Sequence, residues 1–306
     1  MSDSRGGGGA RRLCAGDLEA VFLPQRGMLG ASLKHRGVEL LRRLDDLEAA
    51  AAKGSTAGIP FLHPWANRLA ALDYSAAGRT VALDAASPLL HLDAHGLPMH
   101  GVPWARLAWT VVAQEPSRLV AELAWDRAEL LAVFPFRHRL SMTAALDAGG
   151  LTLETVLVAS GDGPVPVAFG FHPYVGLPGL ARGQWRLTLP AMRRLALDAD
   201  AIPTGEEEAF GASDATLGDR SFDDGFALDA DWALFRLAGG GLRISIELLE
   251  GYRYAQVYAP KGQDFIALEP MTAPTNALRS GRDLTVVEAG GRFRSAFRVG
   301  VAAAGI

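Results

Sequence analysis

The stretch Arg106–Trp125, RLAWTVVAQEPSRLVAELAW, sets the rhythm of the chain. Leu107, Trp109, Val111 and Ala113 fall at every second position, the spacing of a strand with one buried face. Glu115-Pro116-Ser117 then supplies turn residues, and Leu119, Ala121, Leu123 and Trp125 resume the alternation. The segment reads as a β-hairpin. FRHRLSMTAALDAGGLTLETVLVA (136–159) repeats the device: Phe136, His138, Leu140, Met142 and Ala144 share a face, Asp147-Ala148-Gly149-Gly150 turns, and Leu151, Leu153, Thr155 and Leu157 return. Further strands are expected in RRLCAGDLEAVFLP near the start, QWRLTLP (184–190), LRISIELL (242–249) and the closing GRFRSAFRVGVA. Helical spacing is clear once, over 40–52, where Leu40, Leu41, Leu44 and Leu47 share a face. Many strands joined by Gly/Pro turns, with few short helices, argue for an all-β protein built as a large antiparallel sandwich. The chain has no strand–GxGxxG–helix unit and no Walker loop, which argues against a nucleotide fold.

Composition narrows the function classes. With 49% hydrophobic and 21% charged residues the 306-residue chain has the profile of a globular protein with a sizeable core. A net charge of −4 and no basic stripe argue against nucleic acid and anionic membranes as partners. Cys14 is the only cysteine, so no disulfide forms within the chain. MSDSRGGGGARRL lacks the apolar stretch of a secretory signal, and a cytoplasmic protein is the expectation. The organisation expected is a flexible tail over 1–11 and one domain over 12–306, as a monomer or homodimer.

Five stretches place polar residues where a sandwich core does not want them: GIPFLHPWANRLA (58–70), LPMHGVPW (97–104), FGFHPYVGL (169–177), FDDGFAL (222–228) and IALEPMTAPTNAL (266–278). In the first, Asn67 and Arg68 follow a rigid Pro-Trp pair, and the arginine is either a fork of donors for several oxygens or a solvent-facing charge. His100 and His95 each precede a glycine, where backbone can approach a ligand closely; the alternative is a surface loop. Pro173 excludes helix at His172, which is either a proton-transfer group among aromatics or a satisfied core histidine. Period two sends Asp223 and Asp224 to opposite faces, so at most one joins a given site. Glu269 ends an apolar run and needs an ionic partner or a function. No HxH or HExxH spacing occurs, so a metal site would need scattered ligands from His63, His95, His100 and His172; no metal and no cofactor are expected. A GxSxG nucleophile elbow is also missing.

Taken in order, these stretches resemble the aldose 1-epimerase (galactose mutarotase) family. PWANRL is similar to that family's PWxNRI segment, LPMHGVPW to its HG segment followed by tryptophan, and FHPY to its HPY/F segment. PTGEEEAF and FDDGFAL look like its PTG stretch and the aspartate motif after it, while YAQVYAP and IALEP resemble its Gln-x-Tyr strand and terminal Glu-Pro. The resemblance implies a β-supersandwich that interconverts the α and β anomers of a free aldohexose without a cofactor. It further implies His172 as general acid on the ring oxygen and Glu269 as base on the anomeric hydroxyl. Asn67, Arg68, His100, Asp223 and Gln256 would hold sugar hydroxyls.

The chemistry suits those residue types, since opening a hemiacetal needs a proton taken from O1 as one is given to O5. Trp65 and Trp104 are candidates for packing on the sugar, or else core. Asp224-Gly225 stands where many galactose mutarotases carry His-Asn, LPMHG has one glycine, and MTAPTNAL departs from the usual segment. These differences point to a divergent, aldose 1-epimerase-like branch and leave the sugar unassigned. Two alternatives stay open within this fold. A hexose-6-phosphate epimerase would need extra cations such as Arg106 or Arg279. A non-catalytic sugar-binding protein would have no need of a matched acid and base.

Overall fold

In the computed structural model, which describes residues 9–43, 46 and 56–303, the opening hairpin consists of strands Thr110–Glu115 and Arg118–Trp125. Glu115 faces Arg118 across the turn, and Leu119, Ala121, Leu123 and Trp125 are all buried on one side. The first arm departs from simple alternation. Leu107 and Trp109 are buried but precede the paired strand, and a register shift between Val111 and Ala113 leaves Val112 52% exposed. An extra residue on one strand slips the period by one, which is why a pattern read straight through Val111 and Ala113 fails there.

The second hairpin, His138–Asp147 and Gly150–Ala159, pairs residue for residue, with all the expected inward positions buried. These arms lie inside a nine-stranded antiparallel sheet. Its order is Ser213–Thr216, Arg186–Leu189, Ala233–Gly239, Leu242–Glu250, Arg292–Ala303, Gly150–Ala159, His138–Asp147, Arg118–Trp125, Thr110–Glu115. A second antiparallel sheet runs Pro203–Phe210, Met192–Leu197, Phe222–Ala227, Tyr254–Ala259, Ile266–Met271, Gly170–Phe171, Phe61–Leu62, with Tyr174–Val175 also pairing on Ile266–Met271. A four-stranded sheet begins with the hairpin Arg11–Ala15 and Leu18–Leu23. The described residues contain two short α-helices, Ala128–Val133 and Ala277–Ser280. None is long and apolar enough to cross a membrane.

The helix expected over 40–52 falls largely on residues 44–45 and 47–52, which lie outside the described residues. Leu40 and Leu41 are buried, and Leu41 makes a bridge to Val175.

One apolar core joins the two large sheets. Phe171 meets Phe297 at 5.0 Å between ring centroids, and Ile266, Leu268, Val257 and Phe226 enter the same cluster as Leu140, Leu153 and Val299. Because successive residues of a strand point to opposite faces, Ala267, Glu269 and Met271 must then lie on the far side of the second sheet. That far side carries the candidate site.

His63 belongs to the core rather than to any metal site. His138 Nδ1 donates to the Phe136 carbonyl at 2.7 Å, so its Nε2 accepts the Nε2–H of His63 at 2.9 Å. Burial pushes both imidazoles down, His138 to about 4, and keeps the pair neutral. Among the described residues no group of three His, Cys, Asp or Glu side chains is placed to hold a metal ion.

Candidate active site

Three strands bring the carboxylates and the amide together. Gly225, Gln256 and Glu269 are register partners across Phe222–Ala227, Tyr254–Ala259 and Ile266–Met271, and Asp223 lies two residues from Gly225 on the same face. Gln256 donates its amide Nε2 to Asp223 Oδ1 at 2.8 Å. Asp224 points the other way, toward Arg194 at 3.4 Å, as the alternation requires. Gln256 and Glu269 are buried at 5% and 2% exposure, whereas Asp223 is exposed at the mouth.

His172 stands opposite. It occupies the break between strands Gly170–Phe171 and Tyr174–Val175, with its backbone N–H on the Pro60 carbonyl. Its ring stacks on Tyr174 at 4.1 Å. Nε2 lies 3.1 Å from Glu269 Oε1 and 3.2 Å from the Tyr174 hydroxyl, while Nδ1 is buried with no hydrogen-bond partner among the described residues. Burial pushes the His172 imidazole well below its ordinary value, helped by neighbouring His100. Burial also raises the Glu269 carboxyl well above its ordinary value, reinforced by Asp223. Low dielectric disfavours two separate charges, so the pair favours a single proton shared between them.

The third wall is formed by irregular chain. Asn67 and His100 both adopt left-handed backbone, φ 58° and 59°, a conformation that asparagine and histidine tolerate better than most residues. They clasp each other: the His100 N–H donates to the Asn67 carbonyl at 2.9 Å, and the Asn67 N–H donates to His100 Nδ1 at 3.1 Å. With Nδ1 accepting, the neutral ring carries its proton on Nε2 and is a fixed donor there. Enclosure by protein and the Arg68 charge push His100 down to about 3, so it stays neutral at working pH.

Gly101 is needed for a reason other than approach to a ligand. A Cβ there would sit 2.4 Å from the His63 carbonyl oxygen, on a backbone with φ +66°. Gly101→Ala is expected to cost more than about 2 kcal/mol, since left-handed backbone alone costs roughly 1–2. A lower thermal midpoint would register it, and an unchanged midpoint would refute this account of the glycine.

These walls enclose a cavity of about 250 Å³ lined by Asn67, Arg68, His100, His172, Asp223, Gln256 and Glu269. Met99, Tyr174 and Tyr258 complete it. The seven residues that the resemblance assigns to catalysis and sugar binding therefore meet in one place. Tyr258 was not among them, although the period-two spacing of YAQVYAP puts it on the same face as Gln256. Met99 carried no such signal. Trp65 and Trp104 are buried at 1% and 5% and do not line the cavity, so its apolar surface comes from tyrosine and methionine. His95 lies on an exposed turn, 3.4 Å from Asp200. Arg106 and Arg279 also stay outside, Arg279 beside Asp73 at 3.2 Å. Arg42 rests over Phe265 at 4.6 Å and Tyr174 at 5.5 Å without lining the cavity.

Comparison with known proteins places the fold and the family. YihR, an uncharacterised protein of Escherichia coli K12, is 25% identical over 252 residues, 78% of this chain and 77% of that one. A solved protein from Synechocystis sp. PCC 6803 superposes with a TM-score of 0.80 at 24% identity, covering 99% of each chain. A galactose mutarotase-like protein from Clostridium acetobutylicum gives a TM-score of 0.83 at 18% identity over 96% of this chain and 95% of its own. At these identities the structural likeness is one of fold. The sequence profile described as aldose 1-epimerase matches residues 14–300, and the chain belongs to that family.

Proposed function

We propose that the protein is a cofactor-independent mutarotase that interconverts the α and β anomers of a free aldohexose. The observation that carries this reading is the His172–Glu269 pair, buried, 3.1 Å apart and at the floor of a polar cavity. With one proton the pair has two forms of equal total charge: carboxylate with imidazolium, or carboxylic acid with neutral imidazole. The sugar binds to the first form. Glu269 takes the proton of the anomeric hydroxyl, the C1–O5 bond breaks as O1 becomes a carbonyl oxygen, and His172 gives its proton to O5. The open-chain aldehyde thus faces the second form, the neutral one that burial favours. Rotation about C1–C2 and the reverse transfers close the other anomer and restore the first form. No proton is gained or lost over the cycle.

Asn67, Arg68, His100, Asp223 and Gln256 would hold the remaining hydroxyls through donors and acceptors fixed before the sugar arrives. Polarimetry on freshly dissolved α-D-glucose and α-D-galactose, against an enzyme-free control, is expected to show accelerated decay to the equilibrium rotation. No acceleration with either sugar would refute the reading. Glucose 6-phosphate is expected to compete weakly, because Arg106 and Arg279 lie outside the cavity. Calorimetric sugar binding without turnover would favour a binding protein instead.

A further inference from the structure

Arg68 enters the cavity from irregular chain, its backbone tied by a bridge to Met99 and its carbonyl accepting from the Asn276 N–H. Nothing in that backbone fixes a long, flexible side chain. Asp93 does. Its Oδ2 accepts from Arg68 Nε at 2.6 Å, and the two side chains are only 8% and 16% exposed. Its Oδ1 accepts from the backbone N–H groups of His95 and Leu97 at 2.9 and 3.0 Å, closing the turn on which Asp93 sits. The two oxygens have separate tasks, one facing the loop and the other the arginine. Asp93 itself does not line the cavity.

The hydrogen bond is made by Nε, which leaves the two Nη groups for other partners. One of them stands 3.4 Å from Asn67 Oδ1, and Arg68 lines the cavity. Burial works against ionisation of Asp93, but hydrogen bonds from Arg68, Leu97 and His95 outweigh it and hold its carboxyl below the usual range. The carboxylate therefore offsets the guanidinium charge, and Arg68 meets a ligand as a neutralised fork of donors.

Resting on the mutarotase reading, we infer that Asp93 is a positioning residue for sugar binding. It holds Arg68 by Nε so that the Nη face is aimed at the hydroxyls of the aldose before the sugar arrives. An arginine that grips hydroxyls remote from C1 does so equally in the ground and transition states. Its alignment then shows in KM and hardly in kcat.

Asp93→Asn separates the two tasks. The amide oxygen still accepts from His95 and Leu97, while the amide NH₂ is set against Arg68 Nε–H, donor against donor. KM for the aldose is expected to rise about tenfold or more, with kcat within about twofold. The thermal midpoint at neutral pH is expected to fall, because the variant loses a carboxylate whose pKa the fold depresses and leaves the arginine without its ionic partner. In an Arg68→Ala background the same change is expected to shift KM less than about twofold, because its effect runs through that arginine. In the unaltered protein, ¹⁵N NMR is expected to find the Arg68 Nε–H slow to exchange, and in Asp93→Asn fast. An unchanged KM in Asp93→Asn, multiplicative effects in the double variant, or fast Nε–H exchange in the unaltered protein would each overturn the inference. A protein that shows no mutarotation at all refutes the functional reading instead, and leaves the exchange measurement to judge the Asp93–Arg68 hold.

Discussion

Glu269→Gln is expected to lower the catalysed rate of mutarotation by about 10²- to 10⁴-fold, or about 3 to 5 kcal/mol of barrier, the usual contribution of a positioned base. The amide has the shape of the carboxyl but cannot take the anomeric proton. It keeps a hydrogen-bonding oxygen beside His172 and sits in the same register opposite Gln256, so sugar binding measured by calorimetry is expected to persist. Stability supplies an independent check. A carboxyl whose pKa is raised in the folded state weakens the fold as pH climbs from the unfolded value toward the folded one. Removing it is therefore expected to raise the thermal midpoint at pH 7 to 8, and to make no difference below the ordinary carboxylate range, where both states hold the proton. Loss of activity with gain of stability is the signature of a group kept for chemistry. A fully active Glu269→Gln protein would end the assignment of the base.

The sequence exposed this site because strands are such regular rulers. Period two alone placed Asp223 and Asp224 on opposite faces, and only Asp223 reaches the cavity. The same ruler shows Glu269 on the face opposite Ile266 and Leu268, once those two are assigned to the core. It failed at Val111 to Ala113, where a bulge inserts a residue that no local pattern announces. Irregular chain was harder. His100 and Gly101 drew attention through the glycine, but its task is to clear the His63 carbonyl, a neighbour 38 positions away in sequence and unreadable from composition. Asp93 was invisible for the same reason: its partner Arg68 is 25 residues distant, and an aspartate in a turn is commonplace. The tryptophans misled in the opposite way. A large ring in a motif suggests a sugar platform, yet Trp65 packs near Tyr74 in the core at 6.2 Å.

His172→Asn is expected to cost a comparable 10²- to 10⁴-fold, about what a positioned acid supplies, and its residual activity carries the sharper test. In the unaltered protein the working form of the pair holds one proton. Burial lowers the pKa for adding a second at His172 and raises the pKa for losing the last at Glu269. The sign follows directly: kcat/KM is expected to be flat through neutrality, falling on the acid side below the ordinary histidine value and on the alkaline side above the ordinary carboxylate value. Both limbs belong to the pair rather than to either residue. Each variant isolates one limb. His172→Asn retains only the base, so its residual kcat/KM is expected to rise with pH as Glu269 ionises, with a midpoint above the ordinary carboxylate value. Glu269→Gln retains only the acid, so its residual kcat/KM is expected to fall with rising pH as His172 loses its proton, with a midpoint below the ordinary histidine value. Opposite slopes in the two variants are what a matched acid and base must give. Parallel slopes, or none, would mean that His172 and Glu269 bind the sugar without exchanging protons with it.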